Sequence, residues 1–108
     1  MAQDFERNIH RQLTTTASTL RTADSDDALV GINIANTATS QIEVDVFIAS
    51  GGNDYYLVKG APIPAGSALQ LLDGGAKVVM QSGDVLKAQS NTADSADVWV
   101  SVVDAIST

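Results

Sequence analysis

The clearest strand pattern in the sequence is Ile42-Glu43-Val44-Asp45-Val46-Phe47-Ile48. Apolar and acidic residues alternate along it, and a period of two is the spacing at which successive side chains of a β-strand point to opposite faces. The aliphatic positions share one face, whereas Glu43 and Asp45 share the other. The charges indicate which face meets water. The segment therefore predicts a half-buried strand.

Two further segments repeat this alternation, Val30–Ile34 and Val98–Val102. Both are rich in β-branched residues, which suit a pleated and partly buried surface. Weaker strand patterns occupy the intervals at Thr14–Arg21, Tyr55–Lys59, Ala68–Leu72, Lys77–Gln81 and Val85–Gln89. Short strands with frequent turn signals are typical of sandwiches. We therefore predict an all-β fold, an antiparallel β-sandwich or jelly roll of about eight strands.

Glycine and proline mark the expected strand ends. Ser50–Asp54, Asp73–Gly75 and Ser82–Asp84 each have the residues of a hairpin turn. Pro62 and Pro64 exclude a central strand in their segment, because proline donates no hydrogen bond to a β-ladder. The turn sequences support the strand limits given above.

The opening residues do not fit the strand pattern. Phe5, Ile9 and Leu13 are spaced by four, so this stretch could form a short amphipathic helix or an extended arm. We predict an N-terminal docking arm at residues 1–13 and a β-sandwich domain at residues 14–108.

Charge is unevenly distributed along the 108-residue chain. The formal net charge is −7, yet all three arginines lie within the first 21 residues. From residue 23 onward, the sequence contains three lysines and eleven carboxylates. An acidic chain repels phosphate backbones, and no segment approaches the 18 apolar residues of a membrane span. We therefore expect neither nucleic acid nor a membrane as partner.

The sequence has few residues that could perform catalysis. His10 is the one histidine and no nucleophile elbow accompanies it, while cysteine is absent. Asp24–Asp27 is rich in oxygen ligands that suit calcium, but it lacks the spacing of an EF-hand loop. We therefore expect no enzymatic activity, no catalytic residues, no metal and no cofactor.

Aromatic residues are the best candidates for an interface. Tyr55 and Tyr56 are adjacent, so in a strand they point to opposite faces, and we expect one in the core and the other exposed. Phe47 and Trp99 fall on the polar faces of their strands. Outward aromatic residues commonly anchor protein interfaces.

Several segments follow one another in an order that resembles small virion structural proteins of tailed bacteriophages, especially marine cyanophages. The resemblance extends over nearly the whole chain and is a pattern of strands and turns rather than of reactive groups. The segments are Met1–Arg7, Asn53–Lys59, Ala61–Ser67, Leu71–Gly74, Val79–Lys87, Val98–Ser101 and Val103–Thr108.

This resemblance implies a protein of the virion that is assembled in the bacterial cytoplasm. We expect a capsid decoration (cement) protein that docks through its arm, binds phage structural proteins such as the major capsid protein, and forms a homo-oligomer. Arginines of the basic stretch would pair with carboxylates of a neighbour. The predicted interface residues are Phe5, Arg7, Arg11, Arg21, Phe47, Tyr55, Tyr56 and Trp99.

Two alternatives to capsid decoration remain open from the sequence. One is a neck or tail accessory protein, such as a collar or a fibre-attachment piece. The other is a carbohydrate-binding β-sandwich for host adhesion, in which Trp99 and Tyr55 or Tyr56 would stack on sugar rings.

Overall fold

A computed structural model describes the backbone of residues 4–104 and the side chains of residues 5–72 and 78–104. It confirms the all-β prediction. No helix long and apolar enough to cross a membrane occurs in residues 4–104. The strands are β1 (Asp4–Leu13), β2 (Ser18–Thr22), β3 (Asp27–Asn36), β4 (Ile42–Ser50), β5 (Asn53–Ile63), β6 (Ala68–Met80), β7 (Val85–Ser90) and β8 (Ala96–Asp104).

The strands form two four-stranded antiparallel sheets. Sheet A has the order β1-β8-β3-β6, and sheet B has the order β2-β7-β4-β5. Strand β1 pairs with β8, β2 with β7, β3 with β6 and β4 with β5. The first half of the chain therefore runs antiparallel to the second half as one long hairpin, and this hairpin is rolled into two sheets. That arrangement is a jelly roll.

The hydrophobic core lies between the sheets, as the alternation in β4 predicts. Ile42, Val44 and Val46 are fully buried, and Val100 and Val102 are at most 1% exposed. Burial alternates along β7 and along most of β8 in the same way. These inward rows fix the register, because a slip of one residue would move the whole apolar set to the solvent side.

The N-terminal stretch differs from the expectation of a separate arm or helix. Asp4–Leu13 forms β1, which pairs with β8 at the edge of sheet A. Leu13 is fully buried in the core. Most of residues 1–13 is therefore part of the sandwich.

The predicted turn at Asp73–Gly75 is also wrong. Strand β6 continues from Ala68 to Met80 and pairs with β3, with a register shift that falls between Leu29 and Gly31 of β3. Residues 4–104 still form eight strands, because joining the two segments of β6 compensates for the strand missed at β1.

Two other predicted turns are confirmed. Gly51 and Gly52 both have positive φ and connect the paired residues Ser50 and Asn53, the geometry of a two-residue hairpin turn. Gly83 has a φ of +94° in the turn before β7. Strand β5, which contains Pro62, is an edge strand, as proline requires.

Candidate interaction face

The outer side of sheet A carries a row of apolar side chains across all four strands. Phe5 of β1 pairs with Val103 of β8, Val103 pairs with Ala28 of β3, and Ala28 pairs with Val79 of β6. Phe5 is 85% exposed and Val79 is 59% exposed. Residues paired across an antiparallel ladder share a face, so Phe5 and Val103 adjoin at the surface, whereas Ala28, between Val103 and Val79, is only 6% exposed.

A second row lies four residues further along β1. Ile9 pairs with Trp99, and Trp99 pairs with Asn33. The Asn33 Oδ1 atom accepts a hydrogen bond from the Gln70 side-chain amide at 2.9 Å. Ile9 and Trp99 are both about half exposed. Together the rows define a surface that we call the Trp99 face, with Phe5, Arg7, Ile9, Val79, Trp99 and Val103 as its members.

Arg7 lies between the two rows and contacts Trp99. The guanidinium carbon of Arg7 is 5.3 Å from the centroid of the indole ring, a distance at which a cation is attracted by the ring quadrupole. Arg7 pairs with Ser101 on β8. The contact orients a cation and a large aromatic ring side by side on an open surface.

A groove of about 430 Å³ adjoins Trp99 at the other end of this face. Ile9, Arg11, Asn33, Asp97 and Trp99 line it, together with His10. The groove lies where the regular pairing of β1 and β8 ends, since the register shifts between His10 and Leu13. Its lining combines apolar surface with groups of both charges.

The inner side of β1 explains why Phe5 and Ile9 point outward. Glu6 and Asn8 point toward the opposite sheet, where both accept hydrogen bonds from Arg21 at 3.2 and 2.9 Å. Because successive side chains alternate, these inward polar residues place Phe5, Arg7 and Ile9 on the solvent side. The Trp99 face thus results from a strand on which Glu6 and Asn8 face inward.

Arg21 is buried in this fold, whereas the sequence prediction placed it at an interface. It is only 8% exposed, and its Nε donates to Asp27 Oδ2 at 2.8 Å. Its Nη2 lies 3.5 Å from Asp104 Oδ1. Arg21 belongs to sheet B, whereas Glu6, Asn8, Asp27 and Asp104 belong to sheet A. The arginine therefore links the two sheets through their interior.

The charge of Arg21 is stabilised by its partners. Burial alone would lower its pKa, but the hydrogen bond and charge of Asp27, followed by those of Glu6, outweigh that effect and raise the pKa above its ordinary value. Asp27 is fully buried, and a buried charge needs such a partner. Arg21 contacts Asp27 and Asp104. These two residues and Asp24 form a cluster of carboxylates in which one oxygen of each lies within 4.8 Å of the others.

Phe47 is also placed differently from the prediction. It pairs with Tyr56 and Lys87 on the outer side of sheet B, as the alternation requires, but it is only 5% exposed. The Phe47 and Tyr56 ring centroids are 4.9 Å apart, and Lys59 Nζ lies 4.6 Å from the Tyr56 centroid. Neighbours on its own sheet therefore cover Phe47.

Neither tyrosine lies in the core, so the expectation that one would be buried is wrong. Tyr55 is 59% exposed and Tyr56 is 43% exposed. Both lie on β5, the edge strand of sheet B, where few neighbours can cover a side chain. They are separated from Trp99, which lies on sheet A.

The structure thus brings together Phe5, Arg7, Arg11 and Trp99 among the predicted interface residues. It separates them from Arg21 in the interior and from Phe47, Tyr55 and Tyr56 on sheet B. The sequence reasoning missed Ile9 and Val79 as members of the face. The alternation of Phe5, Arg7 and Ile9 was the available signal, because it places these residues on one side of a strand.

No protein-family model matches the chain, and a search of curated proteins found no match.

Proposed function

We propose that this chain is a structural protein of a tailed-bacteriophage particle, and that it docks on a larger protein of the particle through the Trp99 face. The observation that carries the docking proposal is the contiguous exposed apolar surface on the outer side of sheet A. The phage setting rests on the resemblance of the sequence segments, and the jelly roll is compatible with it, since viral capsid domains use that architecture.

The composition of the Trp99 face supports protein docking. Phe5, Ile9 and Trp99 are each more than half exposed, and contiguous apolar surface of this kind commonly marks an interaction site. Tryptophan and arginine are enriched among residues that dominate binding energy. Trp99 and Arg7 are already in contact, so part of the ordering that a partner would impose is present before binding.

The cations of the Trp99 face and of the groove beside it indicate the chemistry of the partner. Arg7 and Arg11 lie on β1 of a chain whose formal net charge is −7. Arginine forms two-pronged hydrogen bonds with carboxylates. A partner surface with carboxylates around an apolar centre would therefore match the face, while the acidic remainder of the chain would discourage nonspecific contacts.

Capsid decoration is our first placement, and a neck or tail position is the second. The compact length and the lack of a fibrous repeat favour decoration. Quantitative mass spectrometry of purified virions distinguishes the two. Decoration predicts a copy number comparable with that of the major capsid protein, and a neck or tail ring predicts far fewer copies.

The carbohydrate-binding alternative has less support. It requires Trp99 and a tyrosine on one open surface, but Trp99 lies on sheet A and both tyrosines lie on sheet B. Arg7 also lies against the Trp99 ring, where a sugar would stack.

Binding to particles that lack this chain tests the docking proposal. We expect the purified protein to co-sediment with such particles, and Trp99→Ser to weaken binding by about 30-fold, as for an interface anchor. Tyr55→Ser is the matched control, because Tyr55 has a similar exposed fraction on the other sheet. Equal binding by wild type and Trp99→Ser would refute docking through this face.

A further inference from the structure

The edge strands of the two sheets are not equally protected against pairing with another chain. Natural proteins protect sheet edges by short strands, proline, lysine or bulges. Strand β2 has five residues and an irregular register, and β5 contains Pro62, Lys59 and Gly60, which has positive φ. Strand β6 has register shifts against β3.

Strand β1 has the edge with the longest uninterrupted register. Its register with β8 is regular from Asp4 to His10, and the strand contains neither proline nor lysine. The regular stretch ends only at the shift that follows His10, where Gln12 has a φ of 58°. Within residues 4–104, β8 is the one strand that pairs with β1. The opposite edge therefore presents backbone donors and acceptors in a straight row.

We propose that β1 pairs antiparallel with β1 of a second copy of this chain, with Asn8 opposite Asn8 of the other copy. A twofold axis through the sheet requires that paired residues share a face. Every alignment that places a residue on the axis meets this condition, and three of these have Arg7, Asn8 or Ile9, near the middle of β1, on the axis.

Charge selects among these three alignments. Centring on Arg7 places two arginines opposite each other, and centring on Ile9 places Arg7 opposite Arg11. Like charges directly opposite each other destabilise a ladder.

Centring on Asn8 avoids both clashes. It places Arg7 opposite Ile9, Glu6 opposite His10, and Phe5 opposite Arg11. The last pair can form a cation–π contact. Strand β1 is therefore complementary to itself in this alignment.

Pairing in this way would extend sheet A into one eight-stranded sheet across two copies. The Trp99 faces of both copies would then lie side by side on the same surface. The self-association stands apart from the proposed function, because it depends on the edge of β1 and not on the identity of any particle protein.

Opposite charges at Ile9 test both the pairing and its alignment. Ile9 is 55% exposed, so the fold should tolerate either substitution. In the Asn8-centred dimer, residue 9 of each copy lies opposite Arg7 of the other copy. Ile9→Arg would therefore create two symmetry-related pairs of like charge, whereas Ile9→Glu would create two pairs of opposite charge. Sedimentation analysis of the isolated full chain should show that the wild type is a dimer. Ile9→Arg should raise the dissociation constant of the dimer about tenfold, whereas Ile9→Glu should not raise it.

Val79→Arg and Val79→Glu are the matched controls. Val79 is 59% exposed on β6, at the opposite edge of sheet A, and neither change should affect the dimer. A monomeric wild type would overturn the proposal. Equal weakening by Ile9→Arg and Ile9→Glu would overturn the Asn8 alignment, as would dissociation caused by the Val79 variants.

Cysteine cross-linking provides a second, independent readout. The chain has no cysteine, so Arg7→Cys and Ile9→Cys each introduce one thiol. Under mild oxidation, a mixture of the two variants should form mixed disulfide dimers faster than either variant alone. Faster cross-linking of Arg7→Cys alone, or of Ile9→Cys alone, would contradict the alignment.

Discussion

The two sides of β1 use arginine in different ways. On the inner side, Arg21 reaches from sheet B to Glu6, Asn8 and Asp27 and is almost fully buried. On the outer side, Arg7 lies against Trp99 in contact with water. Both belong to the basic opening of the sequence, yet one links the two sheets and the other belongs to an exposed face.

This difference shows that the surroundings, and not the residue type, decide what an arginine contributes. Removing a buried arginine takes an opposite charge away from a carboxylate partner that water cannot reach, and this is strongly destabilising. An exposed arginine over an aromatic ring contributes a weaker contact, so it remains available to another protein. The inner side therefore governs stability, and the outer side is suited to recognition.

Deleting residues 1–13 should have the largest effect on stability, because it removes the inner and the outer side chains of β1 together. The deletion takes away a whole edge strand, the buried Leu13, and two of the polar partners of Arg21. We expect the truncated chain to lose the cooperative thermal unfolding transition, measured by circular dichroism.

Arg7→Ala/Arg11→Ala is the control for that deletion. It removes the two outward cations and leaves the strand in place, so we expect it to keep the cooperative transition. A truncated chain that unfolds like the wild type would show that β1 is a dispensable arm after all.

Arg21→Ala should have the next largest effect. It removes the guanidinium that lies 2.8 Å from the carboxylate of the fully buried Asp27, and breaking a buried pair in this way costs about 3–5 kcal/mol. Urea denaturation should show this loss in the free energy of unfolding. Arg7→Ala should change the same quantity by at most about 1 kcal/mol. Similar losses in the two variants would remove the distinction between the inner and outer sides.

The sequence predicted the central strands well because their alternation is simple. Ile42–Ile48 and Val98–Val102 place aliphatic residues inward and polar residues outward, and both segments are strands with that orientation. Strand β1 has the reverse pattern, since Glu6 and Asn8 face inward to reach Arg21. The reason for that pattern lies on another strand of the other sheet, so the alternation alone could not show which side of β1 faces inward.

Part of the candidate site was predictable for the same reason. Alternation correctly placed Phe47 and Trp99 on the outer sides of their strands, but it could not show what covers each ring. Tyr56 lies opposite Phe47 because β4 and β5 pair through two register shifts. Exposure therefore depends on strand pairing, and the pairing emerges only when the sheet is assembled.

Phe47→Ala and Trp99→Ala extend the comparison to the outer sides of both sheets. Phe47 is nearly buried and packs on Tyr56, so its removal should lower the free energy of unfolding by about 3 kcal/mol. Trp99 is half exposed, so its removal should cost about 1 kcal/mol. Chemical denaturation measures both. A larger loss for Trp99→Ala would mean that the Trp99 ring is mainly structural.

The smallest expected effect concerns Asp84, a carboxylate outside the Arg21 cluster. A hydrogen bond from Ser50, and another from the backbone N–H of Gln81, hold the pKa of Asp84 below its ordinary value of 3.8. A carboxylate whose pKa is lower in the folded state stabilises the fold above its unfolded pKa, and this contribution is lost as pH falls through the folded pKa. Asp84→Asn should therefore be slightly less stable than wild type at pH 7.

The pH dependence makes this prediction specific. The difference in thermal midpoint between wild type and Asp84→Asn should shrink as pH falls below about 3.8, since the wild-type carboxylate then becomes neutral. Asp94→Asn, in another exposed turn, is the control, because no comparable hydrogen bonds to its carboxylate occur in the described part of the chain. A difference for Asp84→Asn that stays constant down to low pH would mean that the hydrogen-bonded geometry, rather than the charge, stabilises this turn.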